Sequence, residues 1–458
     1  MSTTPAPSRA TAVYAGATWL LLAVYLAWYV GVWPGPLGED GYALIAHINA
    51  GQPDATGKDP AWLLYALGTY GVSQRIESLM LPLVVLQAFV LARMIGWVFL
   101  HGRPMVAAML LIFVACTPHV LNFATSVYPD AVFSLAFIAV LFEIWIVLRS
   151  GKLRLSNVII LFILLPIACF FKGNGFIILI PIFYLAHRIQ GTARWIVLVT
   201  VLFWTVTIQA GGKAADLGHG HSVLRPLILF ETINFMQSRP MDLWENRNMV
   251  TPRTREIVYR YISQEDIDRF YDRDYWDTLW HKNQDRIKLR QMTKKDRHDL
   301  RIDFFTYNLW RNIPAFISSR VNIFLAAAFA QGGFSNPDNS KYRIDKIDTR
   351  TTYNPFGFNR LPALINNIYD NSYNWRFLLW SPFVGLILLL CLLKKSIRLK
   401  NIDSMVISLT LSIQLIAIFT FSIAAEYRYL LMFFYAPLAL APMLLFMNVN
   451  PGSKPCQL

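Results

Sequence analysis

Four places in this chain put ionisable side chains where apolar runs begin or end. Gly38-Glu39-Asp40-Gly41 follows the first apolar run, which closes at Trp33. Tyr128-Pro129-Asp130 lies between the third and fourth runs, Phe171-Lys172-Gly173-Asn174-Gly175 between the fifth and sixth, and Glu426-Tyr427-Arg428-Tyr429 before the last. Ionisable groups at the mouth of a membrane span are costly to hold there and mark pathways or reaction sites. Adjacent carboxylates repel, which lifts one of the pair toward a pKa useful for a base near neutral pH. A lysine among glycines, or an arginine with its planar fork, suits a phosphate.

Each of these has a plainer reading. Asp40 could instead favour the start of a surface helix near Tyr42, where an acidic group meets the helix dipole. Asp130, after Pro129, is suited to the start of the fourth span. Asp59, in Lys58-Asp59-Pro60, fits a turn before proline, and it is also near enough in sequence to face the same cleft as Asp40. Lys172 could snorkel from a tight turn. Glu426 and Arg428 could pair locally, with Tyr427 and Tyr429 as interface aromatics. Arg93 and Glu143, inside the second and fourth runs, suit a buried ion pair. His219-Gly220-His221 lacks a third ligand for a metal. The four cysteines, Cys116, Cys169, Cys391 and Cys456, show no paired spacing, so neither a disulfide framework nor a cysteine metal site is expected.

The elements that must position these groups are membrane helices. Of the 458 residues 55% are hydrophobic and 15% are charged, against about 25% charged in soluble domains. The segments 14–33, 78–100, 105–123, 131–148, 157–171, 174–187, 195–211, 377–393, 404–424 and 428–448 make about ten spans. The expectation is an all-α polytopic membrane protein with an uncleaved first span. A net charge of +14 then reads as loop charge facing anionic lipid, not as a nucleic-acid surface.

Arg103, Arg149/Lys152/Arg154, Arg188/Arg194 and Lys394/Lys395/Arg398/Lys400 fall in alternate connections, which places both termini in the cytoplasm. Two large loops are then external. The first is 34–77, with surface helices such as Trp62–Leu67. The second is 212–376, with helix-compatible stretches at 254–262 and 284–292, a capped start at Ser263, and an apolar piece at 321–332 that is too short to span and suits an interfacial or re-entrant segment. The chain thus divides into an N-terminal membrane module (1–211), an extracytoplasmic region (212–376) and C-terminal membrane helices (377–458). No internal repeat is visible, which weighs against a duplicated transporter.

This order of features resembles the GT-C class of integral membrane glycosyltransferases, and most closely its bacterial members. The likeness rests on an acidic pair after the first span, a loop of surface helices, a second acidic loop, a Lys-Gly-Asn-Gly turn and a late Glu-Tyr-Arg-Tyr turn. It implies a GT-C-like bundle in a bacterial inner membrane. It also implies transfer of a sugar, with inversion, from a polyprenyl-phosphate donor to a cell-envelope glycan or lipid such as lipopolysaccharide, on the extracytoplasmic face. On that likeness Asp40, with Glu39 beside it, is the base. Asp130 orients the acceptor or the base, Lys172 and Arg428 hold the donor phosphate, and Asp59, Glu426 and Tyr427 are accessory. The order here is Glu then Asp, the reverse of many members, and Lys58-Asp59-Pro60 stands where a His-Pro-like motif is common. No cofactor is required and no metal ligand set is assigned, though a carboxylate-bound Mg²⁺ or Mn²⁺ is compatible with the scheme. The competing classes are an O-antigen polymerase or ligase, a transporter or lipid flippase, and a non-catalytic assembly factor.

Overall fold

The computed structural model describes residues 7–53, 58–217, 224–237, 250–280, 282–332 and 339–447. His219, His221 and Cys456 lie outside the described residues. Apart from a single bridge between Tyr275 and Ala424, the described chain is helical. It divides into two compact units. The first comprises 1–220, 334–414 and 430–458, and the second 221–333 and 415–429. Residues 334–376, grouped by sequence with the second large loop, therefore belong to the first unit.

Among the described residues seven helices are long and apolar enough to cross a membrane: Arg9–Gly31, Ile76–Leu100, Asp130–Ser150, Thr192–Ala214, Arg376–Arg398, Ile402–Phe421 and Tyr427–Phe446. The chain is a multi-pass membrane protein. The expectation of about ten spans is higher than this, for physical reasons that differ between segments. The third run is broken. Pro104–Ala115 and Pro118–Thr125 meet at 58°, and together they make at most an eighth span. Pro118 has no N–H to give, and Thr117 before it is extended at φ −71°, ψ 140°, as a residue preceding proline prefers. The fifth run folds as Leu155–Phe170, only 16 residues. The sixth opens as a six-residue 3₁₀ segment, Gly173–Ile178, before the ten-residue helix Leu179–Arg188.

In the first unit, α1 (Pro7–Gly31) is followed by α2 (Glu39–Asn49), α3 (Pro60–Ala66) and α4 (Ile76–Leu100). The bent pair supplies α5 (Pro104–Leu110) and α6 (Pro118–Thr125), and then come α7 (Asp130–Ser150), α8 (Leu155–Phe170), α9 (Leu179–Arg188) and α10 (Thr192–Ala214). The central pillar is α7. From Asp130 to Trp145 every residue is buried, and Gly151, at φ 66°, ends the helix in the left-handed region that glycine tolerates. A helix buried all round has to be apolar all round, and the acid in the middle of it, Glu143, is matched. Arg93 of α4 grips Glu143 through Nε at 3.0 Å and Nη2 at 3.2 Å, and Asn157 of α8 donates to the same carboxylate at 2.6 Å. The Arg93–Glu143 pair read from the sequence is present and has a third member, so it is a structural lock among α4, α7 and α8.

The second unit has its own core around Phe230, Phe235, Ile257, Ile267, Leu300 and Phe304. Its helices include α11 (Leu224–Phe235), α12 (Pro252–Tyr259), α13 (Gln264–Phe270), α14 (Asp277–Trp280) and α15 (Lys294–Asp303). Ser263 caps α13 by accepting from the Asp266 N–H, as its position ahead of two acidic residues predicts. The 284–292 stretch forms only a 3₁₀ turn at Leu289–Gln291. Phe270, Tyr271, Trp276 and Trp280 pack against the core. The apolar piece expected at 321–332 is instead the C-terminal part of a 16-residue helix, Ile313–Ala328.

Candidate active site

The acidic loop begins on a tightly fitted turn. Gly35 has φ +114°, and a Cβ there would stand 2.3 Å from the carbonyl oxygen of Thr125, so only glycine fits. A Cβ on Gly38 would stand 1.7 Å from the Tyr128 hydroxyl, and the Val127 N–H donates to the Pro36 carbonyl at 3.2 Å. The backbone that carries Glu39 and Asp40 is thereby pinned to the backbone that carries Asp130.

From this base the charged side chains form an alternating string. Lys58 Nζ is 2.8 Å from Asp40 Oδ2. Asp59 is partly buried, accepts a hydrogen bond from the Gly173 backbone N–H, and feels both Lys58 and Lys172. Lys172 Nζ lies 2.5 Å from Asp130 Oδ1, and the Asp130 residue is 3% exposed. Three carboxylates thus face two ammonium groups. The Lys172 ammonium also sits 5.9 Å from the Phe133 ring centre. Trp62, Tyr65 and Phe171 pack on one another, with ring centres 5.5 to 6.0 Å apart. Burial pushes the Asp59 carboxyl up from its usual value, against the smaller downward pull of Lys172, the Gly173 N–H and Lys58.

Asp40 and Asp130 do lie in the first turns of α2 and α7, as the plainer reading has it, but none of these acids caps a helix through its side chain. Helix α2 starts at Glu39, three residues before Tyr42, and its N-cap, Gly38, has no side chain; Asp40 lies in the first turn. Asp59 is the N-cap residue of α3 and makes no side-chain cap bond. Pro129 caps α7, and the Asp130 carboxylate turns to Lys172. Of the two glycines after Lys172, Gly175 has a packing reason, since a Cβ there would stand 2.5 Å from the Cys169 carbonyl oxygen, whereas a Cβ on Gly173 would meet only Asp59 Oδ1 at an ordinary 3.6 Å.

Glu39 points the other way. Its side chain is 87% exposed and pairs at 2.5 Å with Arg343, which also donates to the Leu37 carbonyl at 2.7 Å. Ser340 bonds the same turn twice, accepting from the Leu37 N–H at 3.1 Å and donating to the Gly35 carbonyl at 3.0 Å. Further along, Asp348 accepts from Asn49, and Thr351 donates to Glu77. Sequence reasoning missed this strap, 340–351, because nothing in its composition announces a partner some 300 residues away. The mixed polar run Ser340–Thr351 reads as an ordinary surface.

Arg428 belongs to the second unit. Its Nε lies 2.5 Å from Glu426 Oε2, both side chains are mostly buried, and Tyr427 is fully buried. Arg428 thus has the local partner that its spacing allowed. Burial, with Glu426 adding to it, pushes the nearby Tyr275 hydroxyl up. The second unit also holds an ion pair the sequence did not single out. Glu231 and Arg320, both wholly buried, bond to each other, and Ser319 and Asn234 donate to the carboxylate at 2.7 and 3.0 Å.

Among the described residues, no group of three or more His, Cys, Asp and Glu side chains is arranged to hold a metal ion. Comparison of the chain with protein families, curated proteins and solved structures gives no match.

Proposed function

We propose that this protein is a GT-C-type membrane glycosyltransferase, transferring a sugar from a polyprenyl-phosphate donor to an envelope glycan or lipid on the extracytoplasmic face. The observation that carries the reading is the Asp40–Lys58, Asp59 and Asp130–Lys172 cluster, drawn from four separate chain segments to the ends of apolar helices. In this reading the apolar segments form a bundle of ten membrane-associated helices, counting the bent and short ones. Residues 34–77 are then external and both termini cytoplasmic.

Sugar transfer from a glycosyl phosphate needs a base at the acceptor and a cation at the departing phosphate. Asp59 is the carboxyl best suited as base, because burial raises its affinity for a proton above that of an ordinary aspartate. It removes the proton of the acceptor hydroxyl as that oxygen bonds to the anomeric carbon. The bond from this carbon to the phosphate oxygen breaks, and its electron pair leaves with the lipid phosphate. Asp40, the base suggested by the resemblance, instead orients the acceptor beside Lys58, and Asp130 fixes Lys172. Lys172 meets the phosphate.

The test is transfer from a panel of radiolabelled polyprenyl-phosphate sugars by protein reconstituted with membrane-lipid and glycan acceptors. Wild type should transfer, and Asp59→Asn should lose transfer by about 10²-fold or more while still binding donor. Full activity in Asp59→Asn with loss in Asp40→Asn would return the base to Asp40. Full activity in Asp40→Asn, Asp59→Asn and Asp130→Asn alike would sink the enzyme reading.

A further inference from the structure

The second unit contains a feature that the sugar-transfer reading does not use. Between α11 and α15 lies a cavity of about 350 Å³, within the range of small-molecule sites. Its cationic lining is Arg225, Lys294, Arg297 and Arg301, with His298 beside them. Its floor is apolar, and Leu229, Met292 and Leu300 are each buried.

The separation of charge on α15 explains why these cations have no carboxylate beside them, although Arg297 Nε donates to the Thr293 carbonyl at 3.3 Å and Arg301 Nη2 lies 3.2 Å from His298 Nδ1. Residues 294, 297, 298 and 301 share one face at helical spacing. Asp296, Asp299 and Asp303 occupy another and are engaged there. Asp296 takes Arg260 at 3.0 Å and the Tyr261 hydroxyl at 2.6 Å, Asp299 takes Arg253 at 2.6 Å, and Asp303 takes the hydroxyls of Thr251 and Thr254 at 2.7 and 3.1 Å. Among the described residues no carboxylate pairs with Arg225, Lys294, Arg297 or Arg301. Arg225 is placed as a ligand would need it. Its guanidinium stacks over Trp280 at 4.9 Å, and its Nε is buried with no hydrogen-bond partner. A buried guanidinium N–H without an acceptor is costly, and an anion against the part of Arg225 that lines the cavity would offset that cost. Burial and the nearby Arg297 both push the Arg225 guanidinium down, as expected where like charges converge without an anion between them.

We propose that this cavity is a binding site for the phosphate head of a lipid. Guanidinium forks match phosphate oxygens. The apolar floor beneath them suits an occupant whose anionic group continues directly into a hydrocarbon chain. A free inorganic phosphate would leave that floor unused, and a cavity of this size does not hold a nucleic-acid strand. The site is independent of the Asp59 cluster, so its test does not require transfer activity.

The experiment uses full-length protein in phosphatidylcholine nanodiscs and a diazirine-bearing alkyl phosphate as photo-crosslinking probe. Adducts are mapped by mass spectrometry. They are expected on peptides covering 224–229 and 292–301, and excess dodecyl phosphate should suppress them while dodecanol and inorganic phosphate do not. Arg297→Gln/Arg301→Gln should lower the adduct yield by about tenfold, and Lys295→Gln, at a position outside the cavity lining, should leave it unchanged. A melting profile checks that the double variant stays folded, and Arg301→Gln alone replaces it if not. Equal suppression by inorganic phosphate would make the occupant a free anion and overturn the lipid assignment. Unchanged labelling in the arginine variants, or no labelling of these peptides in wild type, would overturn the site itself.

Discussion

The ammonium of Lys172 lies 2.5 Å from the carboxylate of Asp130, joining the turn after α8 to the first residue of α7. Asp130 is 3% exposed, so the pair sits where an unmatched charge is expensive. Lys172→Met should therefore destabilise the protein by roughly 3 kcal/mol or more. The double variant Lys172→Met/Asp130→Asn should regain much of that loss without regaining transfer. Thermal unfolding in lipid, beside the transfer assay, separates the two effects. Recovery of transfer in the double variant would show that Lys172 has no role at the donor phosphate.

A base must be deprotonated to act, so transfer should rise with pH as Asp59 loses its proton. Its carboxyl is raised above 3.8 by burial, which places the acid limb above the ordinary aspartate range. Lys172 lowers that value. Lys172→Met should then move the limb to higher pH, in addition to any fall in maximum rate. A pH profile of transfer in both proteins reads the shift, and a limb moving to lower pH would contradict the assignment of Asp59.

Gly38 has ordinary extended backbone, φ −72° and ψ 179°, so its constraint is space alone. The Tyr128 ring occupies the position of a Cβ. Gly38→Ala should displace the acidic loop and cost about 1–3 kcal/mol, the usual penalty of overpacking. Gly38→Ala/Tyr128→Ala should recover part of it. A double-mutant cycle on thermal stability measures the coupling, and additive losses would mean that the two residues do not meet.

Glu231 and Arg320 should behave as a buried pair in the second unit. Removing either one by Glu231→Gln or Arg320→Met leaves the other without its partner and should cost about 3–5 kcal/mol. Removing both should cost less than the sum. Denaturant unfolding checks this, and a loss below about 1 kcal/mol for each single variant would show the pair to be solvated.

An all-helical membrane fold is legible in the apolar runs, because a run of about 20 such residues has few other solutions. The sequence by itself also located Asp40, Asp130, Lys172 and Arg428 at the ends of such runs, and it marked Arg93 and Glu143 as partners. These are local properties of composition and spacing. The number of full spans was less legible, since one proline turned a uniform apolar run into two helices at 58°. Which charges meet was decided by tertiary structure alone. Asp59 reads as a turn before proline until the fold brings it to the Gly173 N–H and Lys172. Glu39 reads as the twin of Asp40 until helix periodicity sends neighbouring side chains apart, one to Lys58 and the other to Arg343. The strap at 340–351 and the Glu231–Arg320 pair join residues far apart in the chain. Such contacts depend on packing geometry, and no window of sequence contains them.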